Sequence, residues 1–437
     1  MDVKPGYKQT EVGVIPEDWE VKPLVEIFSF GGGLSASRAQ LSQTGHCYLH
    51  YGDIHTSPKS FVDVEAQRAD LPKLNVRLAD VSTKSLLLDG DVVFVDASED
   101  DEGTSKHQVV RNPRNIPFIS GLHTIVAKSK RDDLVNGYKC HCFHTRSIKK
   151  QFLFYSVGTK VSGISKTNIG KILLPIPPPA EQEAIAEALS DADALIESLE
   201  HILAKRRQLK QGTMQELLIG KKRLPGFGGE WEVKPLGDLF NFSGGFTASR
   251  DQLSSEGYCY LHYGDIHTSK TSFVDVRSEY QDIPKLDIPL KKVSLVSLLD
   301  DGDVVFVDAS EDDEGTSKHV VISNPDGIPF ISGLHTIVAK CKTNTVEHQY
   351  RRYCFQTSAV KAQFRFFAVG TKVSGISKTN IARITLLVPS CPEQAAIAAI
   401  LSHIDAEIAA LEAKLAKTRQ LKQGMMQELL TGRIRLI

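Results

Sequence analysis

"AEQEAIAEALSDADALIESLEHILAKRRQLKQGTMQELL", residues 180–218, decides the fold. It contains no proline and one glycine, and its apolar residues fall at Leu189, Ala192, Ile196, Leu199 and Leu203. Spacings of three and four put these side chains on one narrow stripe of a helix, and the remaining faces are charged. At 1.5 Å per residue such a helix spans roughly 57 Å. A seam this narrow seeks a helical partner. The same pattern recurs at Leu401, Ile404, Ile408, Leu411 and Leu415, followed by Met425 and Leu429. The equivalent helix is therefore the obvious partner; packing on its own globular part is the alternative.

The rest of the chain repeats with it. Trp19-EVKPL recurs at Trp231, Tyr48-LHYGDIHTS at Tyr260, Ile116-PFISGLHTIVAK at Ile328 and Val157-GTKVSGISKTNI at Val369, always 212 residues on. Asp89-GDVVFVDASEDDEGTSKH is copied letter for letter at Asp301. This period is far too long for a solenoid repeat. One domain-sized module is written twice, and both halves are expected to share fold and activity.

Each module opens with a part punctuated by Gly, Pro, Asn and Asp. Short β-branched runs, Val92-VFV, Thr124-IVA and Ile172-LL, predict strands. Ser147-IKKQFLFYSV predicts a helix, making this part α+β. A proline cluster at Pro175 and Pro177–Pro179 ends it, because proline cannot continue a strand or helix interior. The expected order is globular, helix, globular, helix. If the helices pair antiparallel, two like globular parts face opposite ends of a rod with pseudo-two-fold symmetry. Contacts between the N- and C-terminal segments could also close the chain. Two half-sites on opposite DNA strands suit such symmetry; a scaffold for two protein partners also fits it.

Composition narrows the function classes. Formal net charge is −1, so any DNA-binding surface is a local patch or shared with a partner. The N-terminus lacks an apolar export region and no apolar run approaches a spanning helix, which predicts no membrane partner and a cytoplasmic location. Seven cysteines without paired spacing fit a reducing compartment. No G-x-x-x-x-G-K-[ST] loop and no N-P-P-Y-type methyltransferase motif is present.

Leu174-PIPPPAEQEAIAEAL and its copy Leu387-VPSCPEQAAIAAIL resemble the approach to the conserved helix of type I restriction-modification specificity (S) subunits. Lys205-RRQLKQGTMQELLIGKKRLPGF and Lys417-TRQLKQGMMQELLTGRIRL resemble its exit, and Tyr7-KQTEVGVIPEDWEVKPL is similar to the family's opening. The resemblance implies recognition domains at residues 1–178 and 219–390, long antiparallel coiled-coil helices at 179–218 and 391–430, and a tail at 431–437. It implies a non-catalytic subunit that reads bipartite double-stranded DNA and docks two methyltransferase subunits, with restriction subunits joining. S-adenosylmethionine, ATP and Mg²⁺ would belong to those partners, and no cofactor or metal to this chain. Recognition domains within one S subunit commonly differ. Here they are nearly the same, which predicts an interrupted palindrome.

Candidate DNA contacts follow from residue type. Arg38 and Arg250 sit in Gly-rich turns and suit phosphate. His50, Asp53 and His55, with the copied His267, offer either a metal-dependent nuclease group or DNA-facing side chains; alternation along a strand would put His50 and Asp53 on opposite faces. Ser98, Glu99, Thr104, Ser105, Lys106 and His107, with Ser310, Glu311, Thr316, Ser317, Lys318 and His319, form the acidic loops. These are either solvated turns or base readers, since a carboxylate can accept from cytosine N4. Lys160, Ser162, Ser165, Lys166 and Thr167, with Lys372, Ser374, Ser377, Lys378 and Thr379, suit phosphate and base edges, or helix capping by Ser165 or Thr167. The halves differ most between Ser129 and Lys150 against Cys341 to Ala362, and that segment is expected to lie away from DNA.

Overall fold

The computed structural model describes residues 4–436 apart from 100–102, 159, 270, 312–314 and 371. It divides into unit 1, residues 1–200 with 413–437, and unit 2, residues 201–412. The division falls inside both long helices.

Unit 1 is built on a five-stranded sheet. Its strands are β1 (Phe28–Gly32), β2 (Phe61–Asp63), β3 (Val92–Val95), β5 (His107–Arg111) and β6 (Thr124–Ser129), in the order β1-β6-β3-β5-β2. Only the β5–β2 pair is parallel. Every residue of β3 is buried, because the sheet is covered on both faces. The pleat sends Val92 and Phe94 to one face and Val93 and Val95 to the other. The first face packs on α2 (Asn136–Cys142) and α3 (Arg146–Tyr155) through Tyr138, Ile148 and Phe152, with Phe143 between the two helices. The second packs against Cys47, Leu49 and Phe118 of a four-stranded sheet and Ile54 of α1 (Tyr51–Thr56). Unit 2 repeats the five-stranded order 212 residues on, with Val304–Val307 at the centre. The sequence-predicted strands and the Ser147 helix all form.

The segment that differs most between the halves lies largely inside. Tyr138, Lys139, Cys140, His141 and Cys142 are buried in unit 1, as are Tyr350, Arg351, Tyr353 and Cys354 in unit 2.

The long helices are α5 (Pro179–Leu217) and α6 (Cys391–Leu429). Their first turns join the core of their own globular part, through Ile185, Ala186 and Leu189 in unit 1 and Ile397, Ala398 and Leu401 in unit 2. Beyond that they meet each other. In unit 1, Glu200 pairs with Arg419 at 2.5 Å and Asp193 pairs with Lys422. In unit 2, Lys210 pairs with Asp405 at 2.6 Å and Arg207 with Glu412 at 2.5 Å. Rising numbers meet falling numbers, so the pairing is antiparallel in each unit. Of the seam residues, Leu199, Leu203, Ile404 and Leu415 are buried, while Ile196, Ile408 and Leu411 are half-buried. Contrary to the sequence expectation, α6 does contain an 18-residue stretch apolar enough to cross a membrane, with mean hydropathy 1.3. Its character comes largely from alanine, and the helix carries the Asp405 and Glu412 ion pairs.

The C-terminal segment completes unit 1. Leu429 and Leu430 lie in its core, and the Tyr7 hydroxyl donates to the Gly432 carbonyl at 2.9 Å. Arg435 clasps Glu181 at 2.5 and 2.8 Å and Asp18 at 2.9 and 2.8 Å. Glu181 is fully buried and also accepts from the Trp19 indole at 2.8 Å. The contact between N- and C-terminal segments that the sequence left open is thus made in unit 1. Unit 2 builds the same clasp from Arg223, Glu393 and Trp231. There Leu217 and Leu218 fill the core.

Candidate nucleic-acid interface

Four segments that lie far apart in sequence converge on one face of unit 1. Arg38 Nη2 reaches Asp53 Oδ1 at 3.2 Å. Lys106 Nζ donates to the His55 carbonyl at 3.4 Å. The strand β4 (Ala97–Ser98) pairs antiparallel with β7 (Ser162–Gly163), so the acidic loop and the GTKVSGISKTNI segment are neighbours. The Ile164 amide donates to the Asp96 carbonyl at 2.8 Å. Lys166 lies over the Gly-rich turn: a Cβ on Gly32 would sit 2.9 Å from its Nζ. Unit 2 repeats this with Arg250–Asp265 at 2.7 Å, Lys318 to the His267 carbonyl at 3.2 Å, and Lys378 over Gly244.

The exposed candidates are Arg38, Glu99, Lys160, Ser165, Lys166 and Thr167, and in unit 2 Arg250, Glu311, Lys372, Ser377, Lys378 and Thr379. His55, Lys106, Ser162, His267, Lys318 and Ser374 are half-buried. Ser165 caps α4 (Lys166–Ile169), accepting from the Asn168 amide at 3.1 Å, and Ser377 caps the copy of that helix, accepting from the Asn380 amide at 3.1 Å.

Several candidates do not present themselves outward. Ser98, Thr104, Ser105 and His107 are buried, as are Ser310, Thr316, Ser317 and His319. Thr104 is turned to the Ser156 hydroxyl at 2.9 Å. His107 packs among Phe94, Phe143 and His144, and burial pushes its pKa down to about 4. The corresponding histidine of unit 2, His319, is shifted to the same value for the same reason. A side chain packed among phenylalanines cannot be a base reader in this arrangement. Glu102, a second glutamate of the acidic loop that could accept from a base, lies outside the described residues.

His50 and Asp53 do not alternate along a strand. Residues 51–56 form α1, and His50 Nδ1 caps it by accepting from the Gly52 amide at 3.0 Å. Asp53 is turned to Arg38. Among the described residues, no group of three His, Cys, Asp or Glu is placed to hold a metal. The donor set does not fit the nuclease alternative.

Two residues of this face, His123 and Tyr51, and an exposed phenylalanine of α3 were missed by sequence reasoning. His123, in the β-turn between Phe118–Ser120 and β6, contacts Asp96 Oδ1 through Nδ1 at 3.2 Å and meets the edge of Tyr51 at 5.5 Å. Tyr51 in turn stacks on His50 at 4.5 Å. The GLHT string carries no signal for this, since only the fold brings Asp96 to it. Phe154, at the end of α3, is 80% exposed, as is Phe366 in unit 2.

Comparison with known proteins agrees with this geometry. The model of the type I restriction modification DNA specificity domain matches residues 16–206 and again 228–420. The chain belongs to that family. It is 23% identical to the protein assigned as the MjaX type I restriction enzyme specificity subunit of Methanocaldococcus jannaschii, over 99% of this chain and 97% of that one. It is 20% identical to the MjaIX specificity subunit of the same organism, over 98% and 96%. In fold it is similar to the crystal structure of a type I S subunit from M. genitalium, with TM-score 0.54, 13% identity and 98% of each chain covered. The chain is accordingly a recognition component and not an enzyme, with two recognition domains and long linking helices.

Proposed function

We propose that this chain reads an interrupted, palindromic DNA site, one short motif per recognition domain, and docks two methyltransferase subunits through α5 and α6. The observation that carries the reading is the pair of faces: Arg38, His123 and Lys166 in unit 1 return as Arg250, His335 and Lys378 in unit 2, in the same contacts, and the exposed Lys160 returns as the exposed Lys372. Like faces read like sequences. Lysine and arginine supply phosphate contacts, and the polar rings and hydroxyls between them supply base contacts. The near-neutral net charge fits a subunit whose affinity is completed by partners. S-adenosylmethionine belongs to the methyltransferase subunits, and ATP and Mg²⁺ to the restriction subunits. Titrating duplex DNA into the chain with and without methyltransferase subunits, with Mg²⁺ present, tests this. Sequence-selective binding that strengthens with the subunits, and no cleavage by the chain alone, is the expected result. Cleavage by the purified chain would overturn it.

A further inference from the structure

His123 is held at φ +58° and its copy His335 at +57°. This left-handed backbone is uncommon for a side chain bearing a Cβ. Among the described residues, Asn115, at φ +51°, is the other non-glycine residue of unit 1 in this region, and its copy is Gly327, at +63°. Asn and Gly are the residues that tolerate this conformation most readily; at 123 and 335 an imidazole stands there instead.

The turn leaves the ring little choice of position. Gly121 N donates to the Leu49 carbonyl at 2.9 Å, Leu122 N to the Tyr48 hydroxyl at 3.0 Å, and Thr124 Oγ1 to the Gly121 carbonyl at 2.5 Å. The His123 carbonyl accepts from the Asp96 amide at 3.2 Å. The side chain is nevertheless half exposed, at 49%. A strained residue whose side chain faces solvent points to a use for that side chain.

Asp96 determines what the ring offers. An ionised carboxylate only accepts, so Nδ1 must carry the proton it shares with Asp96. In the neutral ring this makes Nε2 an acceptor. Among the described residues, Nε2 makes no hydrogen bond. In the major groove, the donors it would meet are adenine N6 and cytosine N4. Unit 2 repeats the arrangement with Asp308 and Tyr263.

We propose that His123 and His335 are base-reading residues, each accepting through Nε2 from the exocyclic amine of an adenine or cytosine in its half-site. Asp96 and Asp308 act as positioning residues that fix the tautomer. This rests on the DNA-recognition reading above.

The test uses the full chain with its methyltransferase subunits and a pool of random-sequence duplex DNA. The wild-type complex selects a motif, and the enriched duplex is then titrated against H123G/H335G and D96N/D308N. Glycine suits the left-handed turn, so the H123G/H335G chain keeps or raises its thermal midpoint. Its affinity for the selected duplex falls about tenfold per site, while non-specific affinity is unchanged. D96N/D308N, whose amide can donate as well as accept, relaxes the preference at one base pair of each half. A wild-type complex that selects no motif sinks the DNA-recognition reading and this inference together. A selective wild type with H123G/H335G retaining both affinity and motif sinks the inference alone.

Discussion

His107, His141 and His144 are all kept neutral inside unit 1, and acid should therefore loosen unit 1 before unit 2. Burial pushes His107 and His141 down to about 4, and holds His144 well below its ordinary value. Among the described residues, neither ring nitrogen of His141 has a hydrogen-bond partner. Unit 2 keeps only His319 of this set, since His141 and His144 are replaced by Tyr353 and Gln356. A histidine with a lowered folded pKa leaves stability intact above the unfolded value near 6.5. Stability is then lost as pH falls from there towards 4, because the unfolded chain takes up the proton first. By pH 5 a shift from 6.5 to about 4 removes about 2 kcal/mol per histidine. His107 and His319 cancel between the units. His141 leaves unit 1 about 2 kcal/mol worse, and His144 adds in the same direction. The lowered His50 and His262 occur in both units and also cancel. Asp18, lowered by Arg435, titrates below this window.

Hydrogen exchange on the intact chain at pH 7 and pH 5, corrected for intrinsic rates, reads this unit by unit. Peptides spanning Val92–Val95 should lose at least about 30-fold more protection than those spanning Val304–Val307. The H141Y/H144Q variant gives unit 1 the side chains of unit 2. In unit 2 the Tyr353 hydroxyl donates to Asp405 at 2.8 Å and Gln356 donates to Ser272 at 3.0 Å, and Asp193 and Ser60 stand at the matching positions of unit 1. This variant should bring the two units' acid losses together. Equal losses in the wild-type chain, or an unchanged difference in H141Y/H144Q, would refute the assignment of the loss to these histidines.

Other expectations follow from single contacts. Arg435→Ala leaves the Glu181 carboxylate buried without its cation and should cost unit 1 about 3 kcal/mol in urea unfolding; Arg223→Ala should do the same to unit 2. Gly33→Ala would place a Cβ 1.7 Å from the Gly121 carbonyl oxygen, so the soluble yield and thermal midpoint of that variant should fall sharply. The pair Lys166→Ala and Lys378→Ala should weaken DNA binding across all sequences and reduce the salt dependence of binding by about one per lysine, measured by fluorescence anisotropy.

The long helices were legible because their signal is local: heptad spacing lies in the order of residues along one element. The strands around Val92 and Thr124 were legible for a related reason, since β-branched runs between turn residues need little context. The interface was only partly legible. Lys160, Lys166 and Arg38 are exposed, as charge alone suggests. Thr104 and His107 sit in the same polar string yet are turned inward by the sheet pairing of β3 and β5, which no residue pattern announces. His50 to His55 was misread as a strand because His50 acts as a helix cap, a role set by one side-chain hydrogen bond. His123 gained its meaning from Asp96, 27 residues away.

The central claim is that two like recognition domains read two like half-sites. Single-molecule sequencing of methylated adenines, in a host carrying this chain with its methyltransferase subunits, tests it most directly. The account predicts one interrupted motif whose second half is the reverse complement of the first, methylated on both strands. Two unrelated half-sites would contradict it.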